Sequence, residues 1–581
     1  MFLLGLGLAS AAPLQAQGDG DLSGAPFGTA RDSQAVGRLL DSLPLRAKVA
    51  QLVMPWIPGA YQAFDDSAFA VMQGWVDSLS VGGIIVSIGS PTDVALRLNR
   101  LQRRSGLPLL IASDLESGAA FRLNGATPLP PNMGVGAAAR DSDAFEVGRI
   151  TALEGRAVGI HLAFAPVADV NNNPANPIIN TRSFGEDSYL VARLVSAAIQ
   201  GLQQHGMLAT AKHFPGHGDT ETDSHLTLPL IPTPWRRLDT LELIPFRAAV
   251  SAGVALIMSA HVAMPAIGGS RERPATLDPA VMQGVLRDSL GFRGLVVTDA
   301  LDMGGIVNKY GAGEAAVLAF LAGADLLLQP ADPRAAIDAV TEAIESGRIT
   351  YERLDRSVRR VLLLKRQLGL FRRREVPLDS VPEMVGSRRF LPFARDLSTR
   401  SIVLAGDPAG VVDSLRAGPR SIALVTYGEE NAGSVGNTLA RLLRATGHRV
   451  TLFRLWPASG RAGLDSARAV IRKNPYTVFA ASVRVSAWKG SVGLPEPVAD
   501  LMSETFRRRR TVLVSLGSPY IGMQVDPLGA YLLGWTASGL GEWAAGRALT
   551  GEGPITGRLP VRIPPTFPLG AGLDRAATRL P

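Results

Sequence analysis

The feature that most constrains the fold is an alternation of short apolar runs with stretches of helical periodicity between residues 51 and 329. The runs are short enough for buried strands, and many of the helical stretches begin at Asp, Thr or Ser and end at Gly. Eight strands that alternate with helices favour a parallel (β/α)8 barrel, and helical patterns at 333–345 and 351–368 would complete it. The predicted strands are 51–55, 82–87, 107–113, 162–167, 208–213, 255–260, 295–298 and 325–329.

A second domain is expected because 581 residues exceed what one hydrophobic core usually holds. A Pro- and Arg-rich passage at 371–387 follows the barrel pattern, and a second alternation of strands and helices begins beyond it. We predict a signal-like segment and polar lead over 1–30, the barrel over 31–370, a linker over 371–390 and a smaller α/β domain with a mostly parallel sheet over 391–581. Its predicted strands are 401–405, 421–426, 450–455, 477–483, 511–516 and 530–535.

Composition excludes several kinds of function. The net charge is +8, which would suit nucleic acid, an anionic membrane or an anionic cell-wall polymer. No basic patch is interleaved with aromatic residues, so nucleic acid is not predicted as a partner, and the basic runs at 372–374 and 507–510 are interpreted as solvated faces. The absence of cysteine excludes disulfides, thiolate metal sites, a cysteine nucleophile and a lipobox anchor. No Gly-rich phosphate motif follows a predicted strand, so no dinucleotide cofactor is expected.

The N-terminal stretch, MFLLGLGLASAAPLQAQ, is apolar and then small and polar. It resembles the core of a secretory signal peptide with a cleavage region after Ala11 or Ala16, although it lacks a positively charged start. No other stretch is long and apolar enough to span a membrane. We therefore expect export to the periplasm or beyond and no integral membrane segment after signal removal. The chain would be cytoplasmic if this stretch is not a signal.

Polar side chains stand at or just after the ends of successive predicted strands. In a barrel these carboxyl ends share one face, where catalytic groups converge. A single aspartate there could simply cap a helix, but several polar residues at the same end of successive strands indicate a functional site. They are Asp114, Asp169, Lys212, His213, His261 and Asp299.

The longest polar run, AKHFPGHGDTETDSHL at 211–226, holds three of the seven histidines. It follows a predicted strand, and long titratable loops of this kind are usually kept for function. One alternative is a solvated loop whose histidines cap helices. Another is a metal site, but the spacing fits no zinc motif and no HExxH is present, so no metal is predicted. The side chains that such a site would use are His213, His217, Asp219, Asp223 and His225.

Two elements of this pattern suit acid–base chemistry. Asp299 ends an apolar strand, a rigid position that suits a nucleophile. Asp223 and His225 are two residues apart, so in an extended segment the carboxylate could orient the imidazole and raise its basicity. Retaining glycoside cleavage needs one nucleophile and one proton donor. The donor is usually a carboxylic acid, and here a histidine is the candidate.

The segment KHFPGHGDTETDSH resembles the signature of family 3 glycoside hydrolases, specifically their β-N-acetylglucosaminidase subgroup. The similarity covers about residues 35–370 strongly, and the second domain resembles more weakly the α/β sandwich that often follows the barrel in this family. Supporting motifs are SDLESGAAFRL at 113–123, FAPVADVN at 164–171, TRSFGED at 181–187, IMSAHVAMP at 257–265, PATLDP at 274–279 and GFRGLVVTDALDMGGI at 291–306.

The resemblance implies a role for individual residues. Asp299 would be the nucleophile of a glycosyl–enzyme intermediate, His225 the general acid/base and Asp223 its partner. For Arg182 a purely structural salt bridge is the alternative. The residues at positions that hold the non-reducing sugar are Asp114, Arg122, Arg182, Lys212 and His213, with Asp169 near them.

One departure from the family pattern lies after the third predicted strand, where the family usually has Asp-x-Glu-Gly-Gly. Here the residues are Asp114, Leu115, Glu116, Ser117 and Gly118. If the replaced glycine needed a positive φ, Ser117 would strain the turn.

The resemblance implies a retaining exo-β-N-acetylglucosaminidase that acts on a small-molecule glycoside or oligosaccharide from cell walls or chitin, without a cofactor. Three alternatives stay open: a β-glucosidase or β-xylosidase, whose acid/base usually comes from the second domain, a phosphorylase and a non-catalytic sugar-binding protein. A histidine donor is neutral when deprotonated, so it does not repel an anionic substrate or a phosphate acceptor as a carboxylate would. For the second domain, the sequence suggests no chemistry beyond shaping the site or binding polymer.

Overall fold

The computed structural model describes residues 30–429, 433–486 and 488–578. Its first helix is Ala30–Ser42. The signal-like stretch and most of the polar lead predicted over residues 1–30 therefore lie outside the described residues. Within those residues, no helix has both the length and the apolar character that crossing a bilayer requires.

The first domain is a barrel of parallel strands. Seven of them, β2 to β8, form one sheet in sequence order, and β1 pairs with β9. The barrel closes because Leu326 beside β9 bridges Val297 in β8 and because only Pro55 separates β1 from β2. The strands are β1 (Val53–Met54), β2 (Trp56–Ile57), β3 (Gly83–Val86), β4 (Leu110–Ser113), β5 (Leu162–Ala163), β6 (Leu208–Phe214), β7 (Leu256–Ser259), β8 (Leu295–Val297) and β9 (Leu327–Leu328). The predicted (β/α)8 fold is confirmed, with β1 and β2 acting as one interrupted strand.

Helices surround the barrel and bury one face against it. Apolar residues of strands and helices, such as Ile111, Ile257 and Val358, are fully buried in one continuous core. The longer helices of this layer are Leu45–Ala50, Ser67–Asp77, Pro91–Arg104, Asn132–Ala138, Asp141–Ala157, Ser188–Gln203, Ile244–Ser251, Gly304–Tyr310, Ala312–Ala322, Pro333–Glu345 and Tyr351–Gln367.

Two predicted helices are less regular than expected. The stretch 234–251 divides into Trp235–Arg237, a π-helical turn at Leu238–Glu242 and the helix Ile244–Ser251. Pro245 has no N–H to donate to the preceding turn, which accounts for the interruption. The stretch 279–290 forms a π-helix at Ala280–Ser289.

The second domain is built on one six-stranded sheet in the order β10-β15-β14-β13-β11-β12. Every neighbouring pair is parallel except β10 with β15, so the predicted mostly parallel sheet is confirmed. Its strands are β10 (Val403–Gly406), β11 (Ser421–Tyr427), β12 (Arg449–Leu455), β13 (Tyr476–Ala481), β14 (Arg510–Ser515) and β15 (Ala530–Leu533). The helices Val411–Ala417, Asn437–Ala445, Gly460–Arg472, Glu496–Arg508 and Gly539–Thr550 cover the two faces of the sheet. The helix Leu391–Arg400, which leads into β10, buries Ala394 and Leu397 in the barrel core.

The passage between the domains packs along the barrel instead of running free. Val376 exchanges two hydrogen bonds with the Asn99 side chain, at 2.8 and 2.9 Å. The Gly386 N–H donates to Glu154 Oε1 at 2.7 Å. Short helical turns at Leu378–Ser380, Val381–Met384 and Arg388–Phe390 occupy the rest of the passage.

The second domain contacts the loops at the carboxyl ends of the barrel strands. The Asn171 amide donates to the Tyr520 hydroxyl at 2.7 Å, and the Asn180 amide donates to the Ser518 hydroxyl at 3.1 Å. Glu186 of the same barrel region forms a salt bridge with Arg562 at 2.9 Å. These contacts place the second domain over the face where the predicted site residues lie.

Candidate active site

Asp299 lies just beyond the carboxyl end of β8, where the apolar strand stops. Its Oδ1 accepts a hydrogen bond from the Ala300 N–H at 2.8 Å. Burial alone would raise the pKa of this carboxyl, but electrostatic interaction with the imidazoles of His213, His261 and His225 and the hydrogen bond from the Ala300 N–H lower it to about 2. Asp299 is therefore ionised at neutral and mildly acidic pH, as a carboxylate nucleophile must be.

His261, which follows β7, supports the backbone beside Asp299. One imidazole nitrogen, Nε2, lies 2.9 Å from the Ala300 carbonyl oxygen, and the other lies 2.8 Å from the Thr276 hydroxyl. Burial lowers the pKa of His261, which favours a neutral ring with its Nε2–H donated to the carbonyl. His261 thus restrains the turn that carries Asp299.

Asp223 and His225 form a hydrogen-bonded pair in the loop after β6. The Asp223 Oδ1 lies 2.7 Å from His225 Nδ1 and also accepts the His225 backbone N–H at 2.9 Å. Burial would raise the pKa of Asp223, but its hydrogen bonds with His225 lower it below the ordinary value. The ionised carboxylate therefore fixes the Nδ1–H tautomer and leaves His225 Nε2 available for proton transfer.

The loop that carries His225 is tied to the segment that follows Asp299. The Gly304 N–H donates to the His225 carbonyl at 3.0 Å. A side chain at Gly304 would bring its Cβ to 2.6 Å from the Leu226 carbonyl oxygen, so glycine permits this close approach. Asp299 and the Asp223–His225 pair consequently lie on neighbouring segments that backbone hydrogen bonds join.

His217 stabilises the same loop from inside. Its Nδ1 lies 3.0 Å from the Thr220 hydroxyl and its Nε2 lies 2.9 Å from the Ser224 hydroxyl. Burial and the His213 charge lower the pKa of His217 to about 4. A neutral His217 is therefore a hydrogen-bonding support for the Asp223–His225 segment.

A buried charge network lies at the ends of β4 and β6. The Lys212 ammonium contacts Asp114 at 2.8 Å and Glu116 at 2.7 Å, while Glu116 receives two parallel hydrogen bonds of 2.8 Å from Arg182. Arg122 contacts the other oxygen of Asp114 at 3.2 Å. Burial would raise the pKa values of Glu116 and Asp114, but these cations hold both below their usual range.

Arg182 thus makes the structural salt bridge that its sequence context allowed, and it also faces His213. Arg182 Nη2 lies 3.2 Å from His213 Nε2, and His213 Nδ1 lies 2.7 Å from Asp169. Asp169 is fully buried and additionally accepts the His217 N–H at 2.7 Å. It therefore lies behind His213 and orients it, whereas the side chains of Asp114 and Arg122 remain partly exposed.

The glycine substitution after β4 does not strain the turn. Among the described residues, Ser117 is not one of those with a positive φ, and the left-handed position is Gly118, with φ 97°. A Cβ on Gly118 would come within 2.9 Å of Leu129 Cδ1. Position 118 therefore requires glycine both for its positive φ and for this close contact. The expected strain at Ser117 is absent because the turn places its positive φ one residue later.

The histidines of this region are engaged in hydrogen bonds with hydroxyl and carboxylate groups. In the part of the chain that the structure describes, no three His, Asp or Glu side chains are grouped as metal ligands would be. The geometry instead supplies a carboxylate, a carboxylate-oriented imidazole and a charged pocket for polar groups.

Three contributors to the site were not named as site residues from the sequence. Glu116 belongs to the motif SDLESGAAFRL at 113–123, and this position in a motif next to a strand end is a signal that could identify it as a site residue. The sequence suggests His217 only as a metal ligand, and its hydrogen bond with Ser224 depends on loop geometry. Trp488 of the second domain donates its N–H to Asp223 Oδ2 at 3.0 Å, and nothing in its local sequence signals this contact.

Comparison with protein families agrees with this geometry. Residues 44–364, more than half of the chain, match the model of the glycosyl hydrolase family 3 N-terminal domain. The chain belongs to glycosyl hydrolase family 3. The resemblance drawn from the sequence motifs is therefore confirmed, and the protein is a glycoside hydrolase.

Individual relatives extend the similarity over both domains of this family 3 enzyme. A protein of Cellulomonas fimi named β-N-acetylglucosaminidase/β-glucosidase is 30% identical over 83% of this chain and 88% of its own length. The structure of a family 3 β-N-acetylglucosaminidase from Paenibacillus sp. str. FPU-7 is 34% identical, with a TM-score of 0.81 over 92% of this chain and 100% of that one. The β-glucoside phosphorylase BglX is 27% identical, with a TM-score of 0.83 over 93% of this chain and 97% of its own.

The Glu116 network gives a stability prediction. Glu116→Gln removes the negative charge that Lys212 and Arg182 contact. The Glu116 side chain is only 4% exposed, and breaking such a buried pair costs about 3 kcal/mol or more. We expect a clearly lower midpoint of urea unfolding, followed by tryptophan fluorescence. The matched control is Glu314→Gln, which breaks the pair with Arg348, 45% exposed on each side, and should cost less than about 1 kcal/mol. Equal shifts in the two variants would contradict a structural role of Glu116.

Proposed function

We propose that this family 3 enzyme is a retaining exo-β-N-acetylglucosaminidase that releases terminal non-reducing N-acetylglucosamine through a covalent glycosyl–enzyme intermediate. The observation that carries the proposal is the Asp223–His225 pair, which lies in a barrel loop tied by backbone hydrogen bonds to the segment after Asp299. Nucleophile and proton donor thus both come from the barrel, as the subgroup resemblance implies.

In the first step an Asp299 oxygen attacks the anomeric carbon while His225 gives its Nε2 proton to the glycosidic oxygen. The bond from the anomeric carbon to the leaving group breaks, and the aglycone departs as an alcohol. In the second step His225, now neutral, takes a proton from water, and the hydroxide equivalent attacks the same carbon. Asp299 leaves as a carboxylate, and His225 is protonated again. Asp223 stabilises the cationic ring in both steps because it accepts from Nδ1.

We assign the charge network to binding of the non-reducing sugar. Asp114 and Arg122 are partly exposed and offer a carboxylate acceptor and a guanidinium donor to sugar hydroxyls. Lys212 is buried and holds Asp114 in place through a salt bridge of 2.8 Å, and the buried His213 lies 3.2 Å from Arg182. Charged hydrogen-bonding groups fixed in this way discriminate strongly against ligands that lack the matching hydroxyls.

The names of similar proteins support the proposed sugar and also mark two alternatives. Two of the proteins described above carry β-N-acetylglucosaminidase in their names, and one of these also carries β-glucosidase. A third is named a phosphorylase, which keeps phosphate in place of water as a second candidate acceptor. A neutral His225 would not repel phosphate in the second step, whereas a carboxylate base would.

The test is hydrolysis of 4-nitrophenyl N-acetyl-β-glucosaminide beside the matching β-glucoside and β-xyloside, with and without inorganic phosphate. We expect kcat/KM to favour the acetamido sugar by at least about tenfold, because a pocket that pairs with a substrate amide rejects analogues without it. Preference for the glucoside would contradict the proposed substrate. Release of a sugar phosphate that depends on phosphate would establish a phosphorylase, and binding without turnover of any glycoside would establish a sugar-binding protein.

We further propose that the substrates are cell-wall fragments met after export. The apolar and then small and polar stretch at 1–17 supports export, and the net charge of +8 suits an anionic polymer. Expression of the full chain in a bacterium with a periplasm, followed by fractionation and N-terminal sequencing, tests this proposal. We expect exported protein cut after Ala11 or Ala16, and an uncut cytoplasmic chain would contradict export.

A further inference from the structure

The acid/base pair is not held by the barrel alone. Trp488 lies in the second domain, between β13 and the helix Glu496–Arg508, and donates its backbone N–H to Asp223 Oδ2 at 3.0 Å. The other oxygen of this carboxylate accepts from His225. The Asp223 side chain is only 1% exposed, and buried carboxylate oxygens require donors. The second domain therefore supplies one of the hydrogen bonds that keep Asp223 ionised and in place.

The Trp488 side chain also contacts the proton donor directly. Its ring centroid lies 5.5 Å from that of the His225 imidazole, with the ring planes tilted by 59°. An aromatic ring at this distance restricts the rotation of the imidazole and keeps water from one side of it. Both effects favour the orientation in which Nδ1 stays on Asp223 and Nε2 stays on the substrate side.

The conformation of the Trp488 segment suggests a functional constraint. Trp488 has φ 69°, a left-handed conformation that bulky residues rarely adopt. Two contacts lie beside it along the chain: the Lys489 ammonium contacts Glu429 at 2.9 Å, and Gly490 lies against Leu226, next to His225. Strained residues of this kind persist where the surroundings fix them and are concentrated at active sites.

We propose that Trp488 is a positioning residue through which the second domain completes the acid/base unit. This inference rests on the proposed function, because it concerns the transfer of a proton from His225 to the leaving group. Its consequence is that the second domain contributes to catalysis without providing a reacting group. Loss of Trp488 should therefore impair reactions that need protonation of the leaving group and largely spare those that do not.

The experiment compares Trp488→Ala and Trp488→Phe on two substrates, the β-linked disaccharide of N-acetylglucosamine and its 4-nitrophenyl glycoside. The disaccharide has a poor leaving group that needs the acid, whereas nitrophenolate leaves without it. For Trp488→Ala we expect kcat on the disaccharide to fall about tenfold with KM changed less than about threefold, and kcat on the nitrophenyl substrate to fall less than about threefold. Trp488→Phe should restore most of the loss.

The variant is expected to fold because the Trp488 side chain is 57% exposed. The matched control is Tyr351→Ala, which removes an aromatic side chain from a residue that is 52% exposed on the outer helix Tyr351–Gln367. This variant should leave kcat unchanged on both substrates. Equal losses on both substrates, no loss on either, or failure of Trp488→Phe to recover would overturn the inference. If the wild type is inactive on both substrates, the proposed function is contradicted. If the wild type is active but the Trp488 variants do not show the expected pattern, only the Trp488 inference is contradicted.

Discussion

Asp299→Asn should lower kcat/KM for 4-nitrophenyl N-acetyl-β-glucosaminide by at least about four orders of magnitude, close to the effect of removing the nucleophile of other covalent enzymes. The variant keeps the size of the side chain and its hydrogen bond from Ala300, but an amide oxygen is a poor nucleophile. The loss corresponds to about 5.5 kcal/mol of transition-state stabilisation. Initial rates at low substrate concentration, followed by nitrophenolate absorbance, measure it.

Asp288→Asn is the matched control, because this aspartate is exposed on the helix that precedes β8 and should leave the rate unchanged. A second variant, Asp299→Ala, opens space for a small anion at the nucleophile position. Added azide should restore part of its activity and release the glycosyl azide of inverted anomeric configuration. Near wild-type turnover by Asp299→Asn would contradict the nucleophile assignment, and absence of rescue by azide would contradict its position beside the anomeric carbon.

The position of Asp299 could be predicted because it depends on local pattern. A buried strand such as β8 is an apolar run, and a carboxylate directly after it must lie at the carboxyl end of the barrel. The eight barrel strands and the six strands of the second domain were predictable for the same reason. The position of a strand and its hydrophobic period depend on residues that are neighbours in the sequence, so they can be predicted without knowing which distant residues are in contact.

Other parts of the site could not be predicted because they depend on contacts between residues far apart in the chain. Glu116 is separated from Arg182 by 66 residues, and Trp488 from Asp223 by 265. The distinction between Asp114, which is partly exposed, and Asp169, which is buried behind His213, likewise depends on packing. Both aspartates follow barrel strands and look alike in the sequence.

The backbone at Ser117 shows the limit of motif comparison. A glycine replaced in a family pattern suggests strain only if that position has a positive φ, and φ is not visible in residue types. Here Gly118 takes the left-handed conformation, so the turn is kept. The residue type at a single motif position therefore constrains the fold less than the buried strand that precedes the motif.

The second large effect is expected for His225→Ala, and it should depend on the leaving group. For the β-linked disaccharide of N-acetylglucosamine we expect kcat/KM to fall by about two to four orders of magnitude, the usual contribution of a general acid. For the 4-nitrophenyl glycoside, whose leaving group needs no proton, kcat/KM should fall less than about tenfold. Parallel assays of the two substrates with one enzyme preparation give this ratio directly.

The physical reason is that Asp223 and His225 act as one unit. Asp223 Oδ1 accepts from His225 Nδ1, so Asp223→Asn should shift the leaving-group ratio in the same direction as His225→Ala, and the double variant should add little to either. His205→Ala is the control, since this histidine lies outside the site and bonds the Gly201 carbonyl of the helix that precedes it. Equal losses on good and poor leaving groups would argue against an acid role for His225. Additive losses in the double variant would show that Asp223 acts independently of the imidazole, through the Trp488 segment that it also holds.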